Sequence, residues 1–136
     1  MAASGGDTYA ARFGVAEGDV VQEIGWDEDA ESAISEAIED AIGAALLDED
    51  SDEICDAILL WHREDDGDLV DSLVDAIRNL GDGGRIWLMT PGAGSPGVVA
   101  PGEISESAQL AGLVQTKADR FGAWQGSLLS APHGRK

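Results

Sequence analysis

Apolar residues recur along this chain at two spacings, and the alternation between them outlines a fold. Tyr9 and Phe13, four apart, suit a short helical turn. Residues 20–24, Val-Val-Gln-Glu-Ile, read as a short strand closed by Gly25. Ile34, Ile38 and Ile42 then fall four apart, with Ala33, Ala37 and Ala41 beside them and Ser35, Glu36, Glu39 and Asp40 opposite. That spacing predicts an amphipathic helix, with Asp27, Asp29 and Ser32 as candidate N-caps and Gly43 as its stop. Residues 45–47 make a minimal second strand before an acidic loop at 48–53. Residues 57–61, Ala-Ile-Leu-Leu-Trp, are apolar without alternation, the pattern of a strand buried on both faces of a parallel sheet.

The second half repeats the alternation. A loop at 64–67 leads to Asp68, an expected N-cap, and to a helical stripe of Leu69, Val70, Leu73, Val74, Ile77 and Leu80 ended by Gly81. Residues 86–89 read as another buried strand, 91–102 as a Gly/Pro loop, and 103–111 as a short helix with Ile104, Ala108 and Ala111 inward, closed by Gly112. Residues 113–119 and 123–131 predict an antiparallel hairpin turning around Arg120 and Gly122. Strands alternating with helices and then a hairpin predict one α/β domain with a mostly parallel sheet. It is expected over residues 9–132, between a flexible N-terminal tail (1–8) and a C-terminal tail (133–136).

Composition supports a folded chain and narrows its chemistry. The 136 residues are 43% hydrophobic and 26% charged, enough for one core. A single cysteine, Cys55, excludes an internal disulfide and argues against a cysteine-built zinc site. No apolar run reaches the ~18 residues of a membrane span, and the first residues lack the features of a secretory signal, so the expected location is cytoplasmic. Net charge is −19 and unevenly placed. Residues 17–82 hold 23 acids and two bases, whereas 83–136 hold three acids and five bases. Such a field disfavours nucleic acids, membrane surfaces and anionic cofactors, and favours basic proteins and cations.

Individual motifs add little catalytic chemistry. Residues 92–97 match Gly-x-Gly-x-x-Gly, but the following helix begins too late to aim its N-terminus at a phosphate and Pro96 lacks a donor, so a mobile loop is expected. Asp48-x-Asp50-x-Asp52 has Glu53 and Leu59 where a calcium loop needs Gly and Glu. His62 follows the buried strand beside Glu64, Asp65 and Asp66, and is expected to be a partly exposed structural residue; His133 is remote in sequence. Of the four tryptophans, Trp61, Trp87 and Trp124 are expected in the core, and Trp26, in Gly-Trp-Asp-Glu-Asp, at the surface.

Two resemblances emerge from these residues. Glu23-Ile24-Gly25-Trp26-Asp27-Glu28, Asp56-Ala57-Ile58-Leu59-Leu60 and Leu80-Gly81-Asp82-Gly83-Gly84-Arg85-Ile86-Trp87-Leu88 resemble the first, fourth and fifth strands of Rossmann-like S-adenosylmethionine methyltransferases. The resemblance implies a shortened sheet of that kind. It departs at the cofactor loop, where Gly25 remains but Trp26, Asp27 and Glu28 replace the other small residues. Over the whole chain, residues 20–29, 60–71, 86–91 and 131–136 resemble a small actinobacterial family known as domain of unknown function 3052. That resemblance implies a cytoplasmic actinobacterial protein with no established activity.

The resulting expectation is a non-enzymatic regulatory or adaptor protein that binds another protein, one of basic character, through an acidic face. The alternatives are a divergent S-adenosylmethionine-dependent methyltransferase and an acidic nucleic-acid mimic marked by carboxylates along an exposed helix. No catalytic, cofactor-binding or metal-binding residue is assigned, and no cofactor is expected. The candidate protein-binding residues are Trp26, Asp27, Glu28, Asp29, His62, Glu64, Asp65 and Asp66. Loops that follow parallel strands leave the same edge, so the two acidic clusters are expected to converge and to repel each other.

Overall fold

The computed structural model describes residues 13–92 and 94–130. The expected tails, Tyr9, Ala93 and His133 lie outside them, as does the hairpin's last expected residue, Ala131. Among the described residues, five strands form one sheet in the order β1-β2-β3-β5-β4: β1 is Val21–Ile24, β2 Cys55–Trp61, β3 Leu80–Pro91, β4 Val114–Phe121 and β5 Trp124–Ser130. β1, β2 and β3 are parallel, while β5 pairs antiparallel with both β3 and β4. Beyond β1, the expected strand at 45–47 is reduced to a parallel bridge between Leu47 and Gln22. The chain is thus an α/β domain of the mostly parallel, hairpin-terminated kind.

Two apolar layers explain the unbroken run in β2. Ala57, Leu59 and Trp61 pack on one face with Phe13, Trp87, Met89, Phe121, Trp124 and helix α1 (Ser32–Ile42), which contributes Ile34, Ile38 and Ile42. Ile58 and Leu60 point the other way, toward helices α2 (Leu69–Ile77) and α3 (Pro101–Leu110). Successive side chains of a strand face opposite sides, so a strand covered on both faces must be apolar throughout.

Several local expectations need correction. The N-cap of α1 is Glu31 rather than Asp27, Asp29 or Ser32. Asp68 does occupy the N-cap position of α2, but its side chain makes no capping hydrogen bond. α2 ends at Ile77, and Leu80 and Gly81 open β3 instead of closing the helix. Edge pairing explains this: Leu80 is already in register with Cys55 of β2. Val74, expected on the inner stripe, is exposed, and Ala76 takes the buried place. The hairpin turns at Gly122 and Ala123, because Phe121 pairs directly with Trp124.

Candidate functional site

The functional candidates lie where β1 and β2 end. Ile24 is in register with Leu60, so the loops that follow leave the sheet side by side. Asp27, Glu28, Asp29, Asp65 and Asp66 share the lining of one open depression of about 450 Å³, with Arg63, Pro96 and Gly97. An adjoining cleft of about 390 Å³ includes Trp26, Asp27, Glu49, His62, Arg63, Asp66 and Asp75 in its lining. Glu64 is exposed but lines neither concavity; its N–H donates to the Gly97 carbonyl.

The two acidic clusters meet around a cation. The Arg63 side chain, only 13% exposed, donates from Nε and Nη2 to the two carboxylate oxygens of Asp29 and from Nη1 to Asp66 Oδ2 at 3.2 Å. Nη1 also donates to the Gly25 carbonyl at 2.7 Å. The guanidinium carbon stands 5.3 Å from the Trp124 ring centroid, and the Trp124 indole N–H donates to the Asp29 carbonyl. A planar fork of fixed donors suits this bidentate arrangement. The expected repulsion is therefore countered at Asp29 and Asp66, and Arg63 holds Asp29 below the usual carboxylate range by hydrogen bonding first and charge second. Arg63 was not among the expected site residues. Its signal in the sequence is its place: one of two bases among 23 acids, two residues past a buried strand.

Trp26 is 48% exposed at the cleft, as its turn position leads one to expect, while the other three tryptophans are buried. His62 corrects its expectation: it is 2% exposed, not partly open. Burial is the main cause that lowers its pKa, against the upward pull of Asp66, Glu103 and Asp68. Its backbone N–H donates to the Met89 carbonyl, which fixes the strand end under the cleft.

The glycine at the first strand's end is closed off from within the chain. Gly25 has φ +81°, and a Cβ there would collide with the Trp61 carbonyl oxygen. Its N–H donates to Glu49 Oε1 at 3.2 Å, and its carbonyl accepts from Arg63. Among the described residues, no group of three or more His, Cys, Asp or Glu side chains is arranged to hold a metal ion, and no helix is long and apolar enough to cross a membrane.

The model of the family described as "Protein of unknown function (DUF3052)" matches residues 10–133. The chain belongs to this family. Its relatives include uncharacterised proteins of Mycobacterium tuberculosis and Mycobacterium bovis, each 48% identical over 99% of this chain and 85% of its own length. Solved structures of similar fold are methyltransferases. The mitomycin 7-O-methyltransferase MmcR superposes with TM-score 0.65 at 13% identity; 92% of this chain covers 53% of that one, about half its length. A TehB-like SAM-dependent methyltransferase from Corynebacterium glutamicum gives TM-score 0.57 at 15% identity, over 96% of this chain and 89% of that one.

The fold of this DUF3052 member is thus Rossmann-like, and it raises the matter of S-adenosylmethionine. The residues present do not fit that cofactor. Both backbone polar groups of Gly25 are engaged by Glu49 and Arg63. The cleft is lined by Arg63 as well as by Asp27, Glu49, Asp66 and Asp75, and Trp26, Asp27 and Glu28 stand where small residues would let a cofactor approach the backbone.

Proposed function

We propose that this DUF3052 protein is a non-enzymatic adaptor that acts in the cytoplasm and captures a basic segment of a partner protein at the acidic carboxyl edge. The observation that carries this reading is an exposed indole, Trp26, in a cleft that adjoins carboxylates, above all Asp27 and Asp65, for which the described residues show no bridging cation. An indole offers a large apolar surface and a π-face for Lys or Arg, and the carboxylates supply steering and specificity. Arg63 supports the reading as a brace, since it holds the two loops in one geometry before a partner arrives. Helix α1 exposes Glu36 and Asp40, a pair rather than a rail of carboxylates, which favours a local docking site over mimicry of a nucleic acid.

The test is affinity capture from a mycobacterial extract by the wild type and by the variant Trp26→Ala, Asp27→Asn, Glu28→Gln, Asp65→Asn. A partner retained by the first, lost by the second and released by salt is the expected result. Equal capture by both proteins overturns the proposal. Low-micromolar binding of S-adenosylmethionine in calorimetry overturns it in favour of a methyltransferase.

A further inference from the structure

A second concavity, of about 210 Å³, lies between α3 and the terminal hairpin. Its lining includes the buried Val99, Ile104 and Ser127, the exposed Val98 and Ala118, and the side chains of Gln115 and Gln125. Ser127 is fully buried, and its Oγ is the buried side-chain polar atom that finds no hydrogen-bond partner among the described residues. The register places Ser127 opposite Ala118, whose methyl cannot answer a hydroxyl. A buried hydroxyl without a partner is costly, and native folds rarely keep one without a reason.

The lining selects the chemistry of an occupant. It contains no ionisable side chain, so a charged ligand would lose its hydration without gaining a counter-charge. The volume is somewhat above the ~150 Å³ of an apolar cavity that admits benzene. We infer that this pocket binds a small uncharged molecule with an apolar body of about one ring and a single hydrogen-bonding group, which pairs with the Ser127 hydroxyl. The site is independent of the acidic edge.

The probes are phenol and toluene, which share a ring and differ in the hydroxyl, titrated against the whole chain by amide-resolved NMR. Both should give saturable shifts centred on Val99, Ile104, Ala118 and Ser127. Ser127→Ala should weaken phenol about tenfold and leave toluene unchanged, because one neutral hydrogen bond is at stake; retained toluene binding also shows that the variant is folded. Ala118→Leu, which places a larger side chain in the lining, should weaken both while amide dispersion persists. Absence of saturable shifts with either probe, shifts centred on the acidic edge, or unchanged phenol affinity in Ser127→Ala would overturn the inference.

Discussion

The acidic cleft and the α3 pocket are built on opposite principles. In the cleft, charge is abundant and part of it is matched: Arg63 answers Asp29, Asp66 and the Gly25 carbonyl, while Glu49 answers the Gly25 amide. In the pocket, charge is absent from the lining, which holds the amides of Gln115 and Gln125, and the buried Ser127 Oγ finds no partner among the described residues. The first uses Arg63 and Glu49 to hold two loops together and leaves Asp27, Glu28 and Asp65 outside that bridge. The second leaves a buried group unsatisfied and so is poised for a small ligand. A cleft rich in ionisable groups can thus be chiefly a brace, and a neutral pocket can be the more specific binder.

The contrast can be broken most forcefully at Gly25. Its φ of +81° and the Trp61 carbonyl leave no room for a side chain. Gly25→Ala should lower stability by about 3 kcal/mol, read as a fall in the urea midpoint. A midpoint within error of the wild type would show that the cleft's backbone is not closed in this way. Arg63→Met is expected to cost about 2 kcal/mol, since it removes hydrogen bonds to charged partners and leaves Asp29 facing Asp66 without a cation. If Arg63→Met melts like the wild type, the residue is not a brace.

These two residues also show what the sequence reveals and what it hides. The layers were legible because period and burial coincide: Ile34, Ile38 and Ile42 pack on one side of the sheet, and the run 57–61 is covered on both. The convergence of the acidic loops was legible too, because it follows from parallel strand order alone. Pairings made across long separations were not. Asp29 looks like a helix cap in sequence, yet its carboxylate is drawn to Arg63, 34 positions away. Asp68 stands at a helix start without making the bond that its type favours. Ser127 carries no signal at all, because an orphaned hydroxyl is defined by what surrounds it in space.

Ser127 allows a test of opposite sign. Ser127→Ala removes an unsatisfied buried group and should raise stability by about 1 kcal/mol, where truncation in the cleft lowers it. A loss instead would mean that the hydroxyl is already paired. His62 gives a smaller, pH-dependent effect. Its folded pKa lies below the ordinary 6.5, mainly through burial, so between those values the unfolded chain binds more protons. Stability should therefore fall as pH drops below about 6.5, and His62→Gln should remove that part of the fall. Urea midpoints at about pH 7.5 and about pH 5.5 give the slope for each protein; equal slopes would show that folding does not shift the His62 pKa.

The smallest expected change is the most telling for the acidic edge. Asp27, Glu28 and Asp65 are exposed, and no cation among the described residues bridges any of them. If their charge served the fold, Asp27→Asn, Glu28→Gln and Asp65→Asn together would lower stability. They lie instead on the like-charged side of the molecule, where residues 17–82 carry 23 acids against two bases. Repulsion among exposed charges is weak and is screened over about 8 Å at physiological salt. The triple variant should match the wild type or exceed it by no more than about 0.5 kcal/mol. Any gain should shrink as salt rises, because added ions already perform the neutralisation that the substitutions supply. A clear loss of stability would move these carboxylates into the brace with Asp29 and Asp66 and leave Trp26 without charged neighbours available to a partner. An unchanged or firmer fold would instead separate the edge into a set paired with Arg63 that holds the loops and a set whose charge has no structural use, which is the division that a docking surface requires.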